Sequence, residues 1–77
     1  MVVQWVQSPS EVMGYNVYRG VHSGGPYQKV NPELEPATNY TDTTVKGGST
    51  YFYVVTAVDA GSESRYSMEV IASVPAP

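Results

Sequence analysis

Residues 50–59 read TYFYVVTAVD, and this stretch decides the fold. β-Branched and aromatic residues fill it, which is the composition of a β-strand. VKGGS (residues 45–49) precedes it and AGSES follows it, so turn residues bound it on both sides. Side chains alternate across a strand, so Tyr51 and Tyr53 share one face and Phe52 lies on the other. The stretch therefore predicts one long strand between two turns.

The rest of the chain alternates turn clusters with short apolar runs, the pattern of an all-β domain. No segment keeps helical spacing for more than a turn, because glycine and proline interrupt each candidate window. The predicted strands are Val2–Val6, Gly14–Gly20, Tyr27–Val30, Tyr40–Val45, Thr50–Asp59 and Met68–Val74. Turn signals about every 8–12 residues favour a β-sandwich or a small barrel.

Length and composition exclude several classes of protein. With 77 residues the chain forms one small domain, and with no cysteine it has neither a disulfide nor a thiolate metal site. The net charge of −3 has no basic cluster of the kind that binds nucleic acid or anionic membranes. We expect no membrane span, because no apolar run approaches about 20 residues. The opening MVVQWV lacks the basic segment and cleavage pattern of a signal peptide.

Catalytic and metal-binding patterns are weak throughout the sequence. His22 is the only histidine, and no serine or acid stands at a spacing that suggests a catalytic triad. Asp42 and Asp59 lie near strand ends, where single carboxylates usually accept hydrogen bonds in turns. Glu33 and Glu35 offer too few oxygens for a calcium site. We therefore predict a protein that is not an enzyme and that uses no cofactor or metal.

A family resemblance runs along nearly the whole chain. Its markers are Trp5, the alternation of Tyr15 with Val17, and VKGGSTY at 45–51 followed two residues later by Tyr53. These features resemble a fibronectin type III domain, and GYNVYRG, SGGPY and YTDTTV are similar to versions in bacterial secreted multidomain proteins. The resemblance implies an immunoglobulin-like β-sandwich with family strands B to G over residues 1–77, of which 74–77 would begin a linker. It also implies an extracellular location.

The resemblance departs from the family pattern at the first strand. The family begins with a strand A, whereas this chain begins directly at the segment that matches strand B. The outer edge of strand B would then carry unpaired backbone groups, which invite pairing with another chain. We expect either a destabilised monomer or a homodimer that covers this edge.

Alternation places Tyr51, Tyr53, Val55 and Ala57 on one face of their strand, and the resemblance implies that this face points into the sandwich. By the resemblance, Tyr51 would form the tyrosine corner, with its hydroxyl bound to backbone a few residues upstream. A buried hydroxyl needs such a partner because leaving it unpaired costs about 1–3 kcal/mol. The predicted inward residues are Val3, Trp5, Tyr15, Val17, Tyr51, Tyr53, Val55, Ala57, Val70, Ala72 and Val74.

The opposite face of the same strands is unusually apolar. It would carry Val54, Thr56 and Val58 together with the members of a candidate binding patch. That patch comprises Tyr18, Phe52, Val54 and Ile71. A contiguous apolar patch on a domain surface often marks an interface. The alternative is that such residues are present only because they favour strands.

Three loops at one end of the sandwich are the sites that this family often uses for binding. They correspond to residues Gln7–Met13, Asn31–Asn39 and Ala60–Ser67. The last contains Arg65 and Tyr66, residue types enriched at interface hot spots, so both are candidate partner-binding residues. The alternative is a solvated loop, and no RGD sequence is present.

Two functions follow from the sequence. The first is a non-catalytic extracellular module that serves as a spacer or as an adhesive or carbohydrate-associated accessory domain of a larger protein. The second is a free-standing or engineered binding module that uses the end loops, the outer face or the strand B edge. The partner would be a protein or a polysaccharide.

Overall fold

Seven β-strands form the regular structure in the computed structural model, which describes residues 1–6, 12–67 and 69–75. They are β1 (Val2–Gln4), β2 (Gly14–Gly20), β3 (Gln28–Lys29), β4 (Asn39–Thr41), β5 (Thr50–Asp59), β6 (Ser62–Glu63) and β7 (Val70–Ser73). The described residues contain no helix long and apolar enough to cross a membrane.

The strands form two antiparallel sheets of unequal size. The smaller sheet pairs β1 with β4, and the larger has the order β3-β2-β5-β6, with β7 also paired to β5. The β2–β5 pair is the centre of the molecule and runs from Gly14 opposite Val58 to Gly20 opposite Phe52. The predicted all-β sandwich is therefore confirmed, and β2 and β5 have the bounds that the sequence predicted.

Other strands are shorter than predicted, and β4 shows why. The predicted strand ran to Val45, but β4 ends at Thr41. The Asp42 carboxylate accepts hydrogen bonds from the Thr44 N–H at 3.0 Å and from the Thr44 hydroxyl at 2.7 Å. These bonds turn the chain away from the sheet, as aspartate commonly does. Asp42 thus has the turn role that the sequence predicted.

The segment after β5 differs most from the prediction. Ser62–Glu63, predicted to be loop, forms β6 opposite Val58 and Asp59. β7 then pairs with the other end of β5, from Val70 opposite Tyr53 to Ser73 opposite Thr50. Between these two pairings, β5 has four residues (54–57), whereas the sequence between Glu63 and Val70 has six (64–69). The partner of β5 thus carries two extra residues, as in a β-bulge. Met68, the predicted start of the last strand, lies outside the described residues.

The core lies between the two sheets and contains the residues that alternation predicted. Its buried members are Val3, Tyr15, Val17, Tyr51, Tyr53 and Val55, with Trp5, Ala57, Ala72 and Val74 among those packed against them. The Trp5 ring meets the Tyr15 ring edge-on, with centroids 5.5 Å apart. The Tyr51 hydroxyl oxygen accepts a hydrogen bond from the Lys46 N–H at 2.9 Å, a backbone partner upstream as predicted.

Val70 is the exception among the predicted core residues. It shares a face with Tyr53 but is 48 % exposed. Its side chain lines an open cavity between the two sheets instead of packing into the core. The prediction of a buried Val70 was therefore wrong.

Asp42 also links the two sheets through a buried polar cluster. Its side chain is 1 % exposed, and Oδ2 accepts hydrogen bonds from the Tyr53 hydroxyl and from Nη1 of Arg19, both at 2.8 Å. The guanidinium of Arg19 also lies 4.9 Å from the centre of the Tyr51 ring. Burial alone would raise the pKa of Asp42, but hydrogen bonds from Thr44, Tyr53 and Arg19 outweigh it and lower the pKa to about 2.

Candidate functional site

Three tyrosines meet on the outer face of the larger sheet. The Tyr66 ring packs edge-on against Tyr18, with centroids 5.2 Å apart, and against Tyr27, with centroids 5.3 Å apart. Tyr18 belongs to β2, Tyr27 precedes β3, and Tyr66 comes from the bulged segment after β6. Tyr66 is 52 % exposed. We call these three residues the tyrosine face.

Glu63 anchors one end of the tyrosine face. Its Oε2 accepts hydrogen bonds from the Tyr18 hydroxyl at 2.5 Å, from Nδ2 of Asn16 at 3.3 Å and from the Thr56 hydroxyl. Hydrogen bonds from Thr56, then from Tyr18 and Asn16, hold the pKa of Glu63 below its ordinary value. The hydrogen bond to Glu63, with some burial, raises the pKa of Tyr18. The carboxylate is therefore charged at neutral pH and fixes the Tyr18 ring.

Glu69 anchors the other end. Its carboxylate accepts hydrogen bonds from the Ser23 hydroxyl at 2.8 Å, from the Gly24 N–H at 2.7 Å and from the Tyr27 hydroxyl. Bonds from Gly24, then Tyr27 and Ser23, lower the pKa of Glu69, and the bond to Glu69 raises the pKa of Tyr27. The loop before β3 is thus tied to the segment that carries Tyr66.

Two serines hold the middle of this segment against β5. The Ser64 hydroxyl accepts a hydrogen bond from the Ala57 N–H at 2.8 Å, and the Ser67 hydroxyl accepts one from the Val55 N–H at 2.9 Å. The backbone N–H groups of the same serines donate to the carbonyls of Ala57 and Val55 at 2.8 and 2.9 Å. The serines therefore continue the ladder across the bulge. We call residues 64–67 the serine strap.

A shallow pocket of about 450 Å³ opens beside the tyrosine face. Its lining residues are Tyr18, Thr56, Glu63, Ser64, Arg65 and Tyr66. Arg65 is exposed, and no acidic side chain among the described residues forms an ion pair with it. The pocket thus combines an aromatic wall with the exposed side chains of Glu63, Ser64 and Arg65, while Thr56 is buried beneath them.

The six predicted partner-binding residues do not form one surface. Tyr18, Arg65 and Tyr66 line the same pocket. Phe52 and Ile71 are cross-strand neighbours at the far end of the sheet, where Ile71 is 65 % exposed. Binding by these residues stays a prediction.

Val54 requires a correction. The sequence placed it in an open apolar patch, but it is 2 % exposed. It lies directly opposite Tyr18, whose ring is held over the sheet by Glu63 and Tyr66. The predicted patch is therefore not continuous, and the surface offers a tyrosine face and a separate Phe52–Ile71 pair.

Sequence reasoning missed Tyr27, Glu63 and Glu69 as parts of this site. Alternation along β2 and β5 could assign Tyr18, but it could not show that a bulge turns Tyr66 onto the same face. The signal that was present is compositional. AGSESRYS (residues 60–67) contains three serines and a glutamate, whose side chains can accept hydrogen bonds in place of the backbone carbonyls of a strand.

The other predicted binding loops are placed differently. The Asn31–Asn39 loop lies against the edge of β2, where Glu35 and Tyr15 exchange backbone hydrogen bonds of 2.9 Å. Asn31 is 2 % exposed, and its Oδ1 accepts from the Val17 N–H at 2.8 Å. Of Gln7–Met13, residues 7–11 lie outside the described residues.

A second cavity, of about 550 Å³, opens between the two sheets beside β1. We call it the edge groove, and its apolar lining includes Val3, Trp5, Val6, Tyr53, Val55 and Val70. Ser64 and Arg65 of the serine strap line both this groove and the pocket beside the tyrosine face. The Trp5 N–H donates to the Thr38 carbonyl, and the Asp42 N–H donates to the Met1 carbonyl. The backbone groups of the odd-numbered residues of this segment therefore point towards β4. The backbone groups of Val2 and Gln4 therefore point to the other side, away from β4.

The described residues contain no group of three or more histidine, aspartate or glutamate side chains that could hold a metal ion. His22 is exposed in the loop between β2 and β3. Its carbonyl accepts a hydrogen bond from the Gly25 N–H at 3.1 Å, which is a turn contact.

The chain is similar in sequence to short segments of much longer proteins. No protein-family model matches the sequence. The chain is 46 % identical over 61 residues to an amylopullulanase of Thermoanaerobacter thermohydrosulfuricus, which is 78 % of this chain and 4 % of that protein. It is 38 % identical over 71 residues to an amylopullulanase of Thermoanaerobacterium saccharolyticum, which is 91 % of this chain and 5 % of that protein. The chain thus spans only a small part of these curated relatives.

A solved structure matches along nearly the whole chain. It is the crystal structure of an Fn3-like protein from Clostridium thermocellum, 42 % identical in sequence, with a TM-score of 0.87. The match covers 96 % of this chain and 75 % of that one.

Proposed function

The chain belongs to the Fn3-like family, and from this we propose that it is a non-catalytic accessory module of a larger extracellular bacterial enzyme. One observation carries the proposal. Up to 91 % of this chain resembles a segment that makes up 4–5 % of bacterial amylopullulanases. A segment of that size is one domain of a much longer protein. The relatives' name contains that of the polysaccharide pullulan, which supports a carbohydrate-associated role.

The module would extend over residues 1–77, with a linker beginning at about residue 74. Its shape supports a spacer role, since its principal extents are 41 × 22 × 20 Å. An elongated domain with a rigid central strand pair separates its neighbours by a defined distance. A flexible linker gives only a distribution of distances.

A chimeric enzyme tests this proposal. The matching segment of the Thermoanaerobacter thermohydrosulfuricus amylopullulanase is replaced either by this chain or by a Gly/Ser linker of equal length. We expect this chain to preserve pullulan hydrolysis and thermal stability, and we expect the linker to reduce one of them. The isolated chain and its His22→Ala variant are assayed in parallel, and neither should hydrolyse pullulan. Hydrolysis by the isolated chain that is lost in His22→Ala would contradict the proposal.

A second candidate function is self-association through β1, as in a free-standing or engineered binding module. The supporting observation is that β1 directs backbone groups of Val2 and Gln4 away from β4, and that Gln4 also lines the apolar edge groove. An extended strand from a second copy could pair with this edge and place alternate side chains in the groove.

Gln4→Pro tests self-association, because it removes an N–H that points away from β4 and leaves the β1–β4 ladder intact. Sedimentation equilibrium should show a dimer for the unmodified chain and a monomer for this variant. Thr43→Pro, outside the strands and exposed, serves as the control. A chain that stays monomeric at high concentration would exclude this candidate.

A further inference from the structure

We infer that the tyrosine face and its pocket form a binding site for a neutral oligosaccharide, with a pyranose ring against Tyr66 and its hydroxyls on Arg65 and Glu63. The inference deepens the proposed function and rests on it for the choice of a glucan as ligand. It goes beyond the accessory-module proposal because it names the binding site and gives Tyr66, Arg65 and Glu63 each a role in it.

The aromatic wall suits a sugar ring. A pyranose presents C–H groups on its faces and hydroxyls around its rim, so it needs an apolar surface beside polar groups. Tyr66 leaves half of its surface exposed, and Tyr18 and Tyr27 support its ring from two sides. Tyrosine offers a large contact area for few rotatable bonds, so little conformational entropy is lost on binding.

The charges of the pocket favour a neutral ligand. Its lining carries one carboxylate, Glu63, and one guanidinium, Arg65, so the formal charges cancel. Among the described residues, the hydrogen bonds to Glu63 end on Oε2, which leaves Oε1 to accept from a ligand. Arg65 has donors but no acidic partner among the described residues. One acceptor and one fork of donors in a pocket with an aromatic wall match a ligand rich in hydroxyls.

The site is fixed before a ligand arrives. Glu63 and Glu69 hold the hydroxyls of Tyr18 and Tyr27, and the serine strap holds the backbone on both sides of Tyr66. Groups that are already immobilised lose little freedom on binding, which favours affinity in a shallow pocket.

An NMR titration of the 77-residue chain with maltohexaose, a soluble neutral glucan, tests the inference. We expect saturable changes at the amides of Tyr18, Glu63 and Tyr66, which line this pocket and not the edge groove. Amides of β7, such as Ala72, should not move. Saturable changes confined to edge-groove residues such as Val3 would overturn the inference, as would an absence of changes at high maltohexaose concentration.

Two variants separate binding from folding. Tyr66→Ala removes the ring wall together with two packing contacts, so its fold is checked by thermal melting. Arg65→Ala removes an exposed side chain with no acidic partner, and it should melt like the unmodified chain. Each should weaken maltohexaose binding by about tenfold or more, which is typical of a hot spot.

Val21→Ala and Lys46→Ala are the matched controls, because each removes an exposed apolar or basic side chain that does not line the pocket. Their affinities should stay within about twofold, as for most surface substitutions. Equal affinities in all four variants would overturn the inference. The binding site is tested by maltohexaose affinity, whereas the accessory-module proposal is tested by pullulan hydrolysis and thermal stability of the chimeric enzyme. A failure of one proposal can therefore be told from a failure of the other.

Discussion

At the scale of a single residue, Asp42 joins three parts of the molecule. Its carboxylate ends β4, receives the Tyr53 hydroxyl from β5 and pairs with Arg19 from β2. A buried carboxylate persists only when it is paired and hydrogen-bonded, and this one has four donors. The sequence predicted its turn role, because aspartate near a strand end suggests one. It could not predict the contacts with Arg19 and Tyr53, which come from distant strands.

The pKa of Asp42 makes stability depend on pH in a defined direction. It lies at about 2 in the folded chain against 3.8 for an unperturbed carboxyl. A lowered folded pKa contributes stability that is fully present above about pH 4 and is lost as the pH falls through about 2. The shift corresponds to about 2 kcal/mol. Urea denaturation between pH 2 and pH 7 should therefore show a steep loss of stability below pH 4.

Asp42→Asn should lower stability at pH 7 and flatten this profile, since Asn keeps the shape but not the charge. Asp42→Ala should cost about 3 kcal/mol or more, because it leaves Arg19 without its buried partner. Asp59→Asn, on an exposed carboxylate, is the control. A profile in Asp42→Asn as steep as in the unmodified chain would contradict this assignment.

At the scale of elements, β2 and β5 were predicted with correct bounds, and the strand after β5 was not. Both central strands carry long runs of β-branched and aromatic residues bounded by turn residues, so local preference and tertiary pairing agree. The segment that pairs with β5 after β6 contains two extra residues. In it, serine hydroxyls accept the hydrogen bonds that backbone carbonyls would accept in a regular strand. Period-two alternation assumes an unbroken register, so it cannot reveal such a bulge or the residues that the bulge brings to the tyrosine face.

The serine strap should contribute measurably to stability. Ser67→Ala removes the acceptor of the partly buried Val55 N–H and should cost about 1–2 kcal/mol. Ser64→Ala removes the acceptor of the Ala57 N–H in an exposed position and should cost less than about 1 kcal/mol. Urea midpoints measure both, with Thr43→Ala as an exposed control. An effect of Ser67→Ala no larger than that of Thr43→Ala would show that the strap does not stabilise the edge.

At the scale of the whole molecule, the two sheets differ in extent and should differ in local stability. The larger sheet contains the long β2–β5 ladder, whereas the smaller one has only the three-residue pairing of β1 with β4. An isolated two-stranded sheet is marginal in water, so the smaller sheet depends on its packing against the core. The all-β class follows from the turn pattern, and the core follows from alternation together with the family resemblance. The cavity that leaves Val70 exposed could not be predicted in this way.

Hydrogen exchange should resolve this difference. The amide of Val17, in the centre of β2, should exchange only on global unfolding. The amide of Val3, in β1, should exchange faster through local opening of the smaller sheet. NMR-detected exchange at neutral pH measures both rates. Equal protection of Val3 and Val17 would mean that the two sheets open as one cooperative unit.

The position of Trp5 gives the domain a built-in optical probe. Trp5 is the only tryptophan of the chain, and its indole lines the edge groove while the tyrosine face lies on the other side of the larger sheet. A strand or a second copy that fills the groove would exclude water from the indole and move its emission to shorter wavelength. A sugar bound at Tyr66 would leave that emission maximum unchanged. One fluorescence spectrum can therefore tell which of the two surfaces a partner occupies.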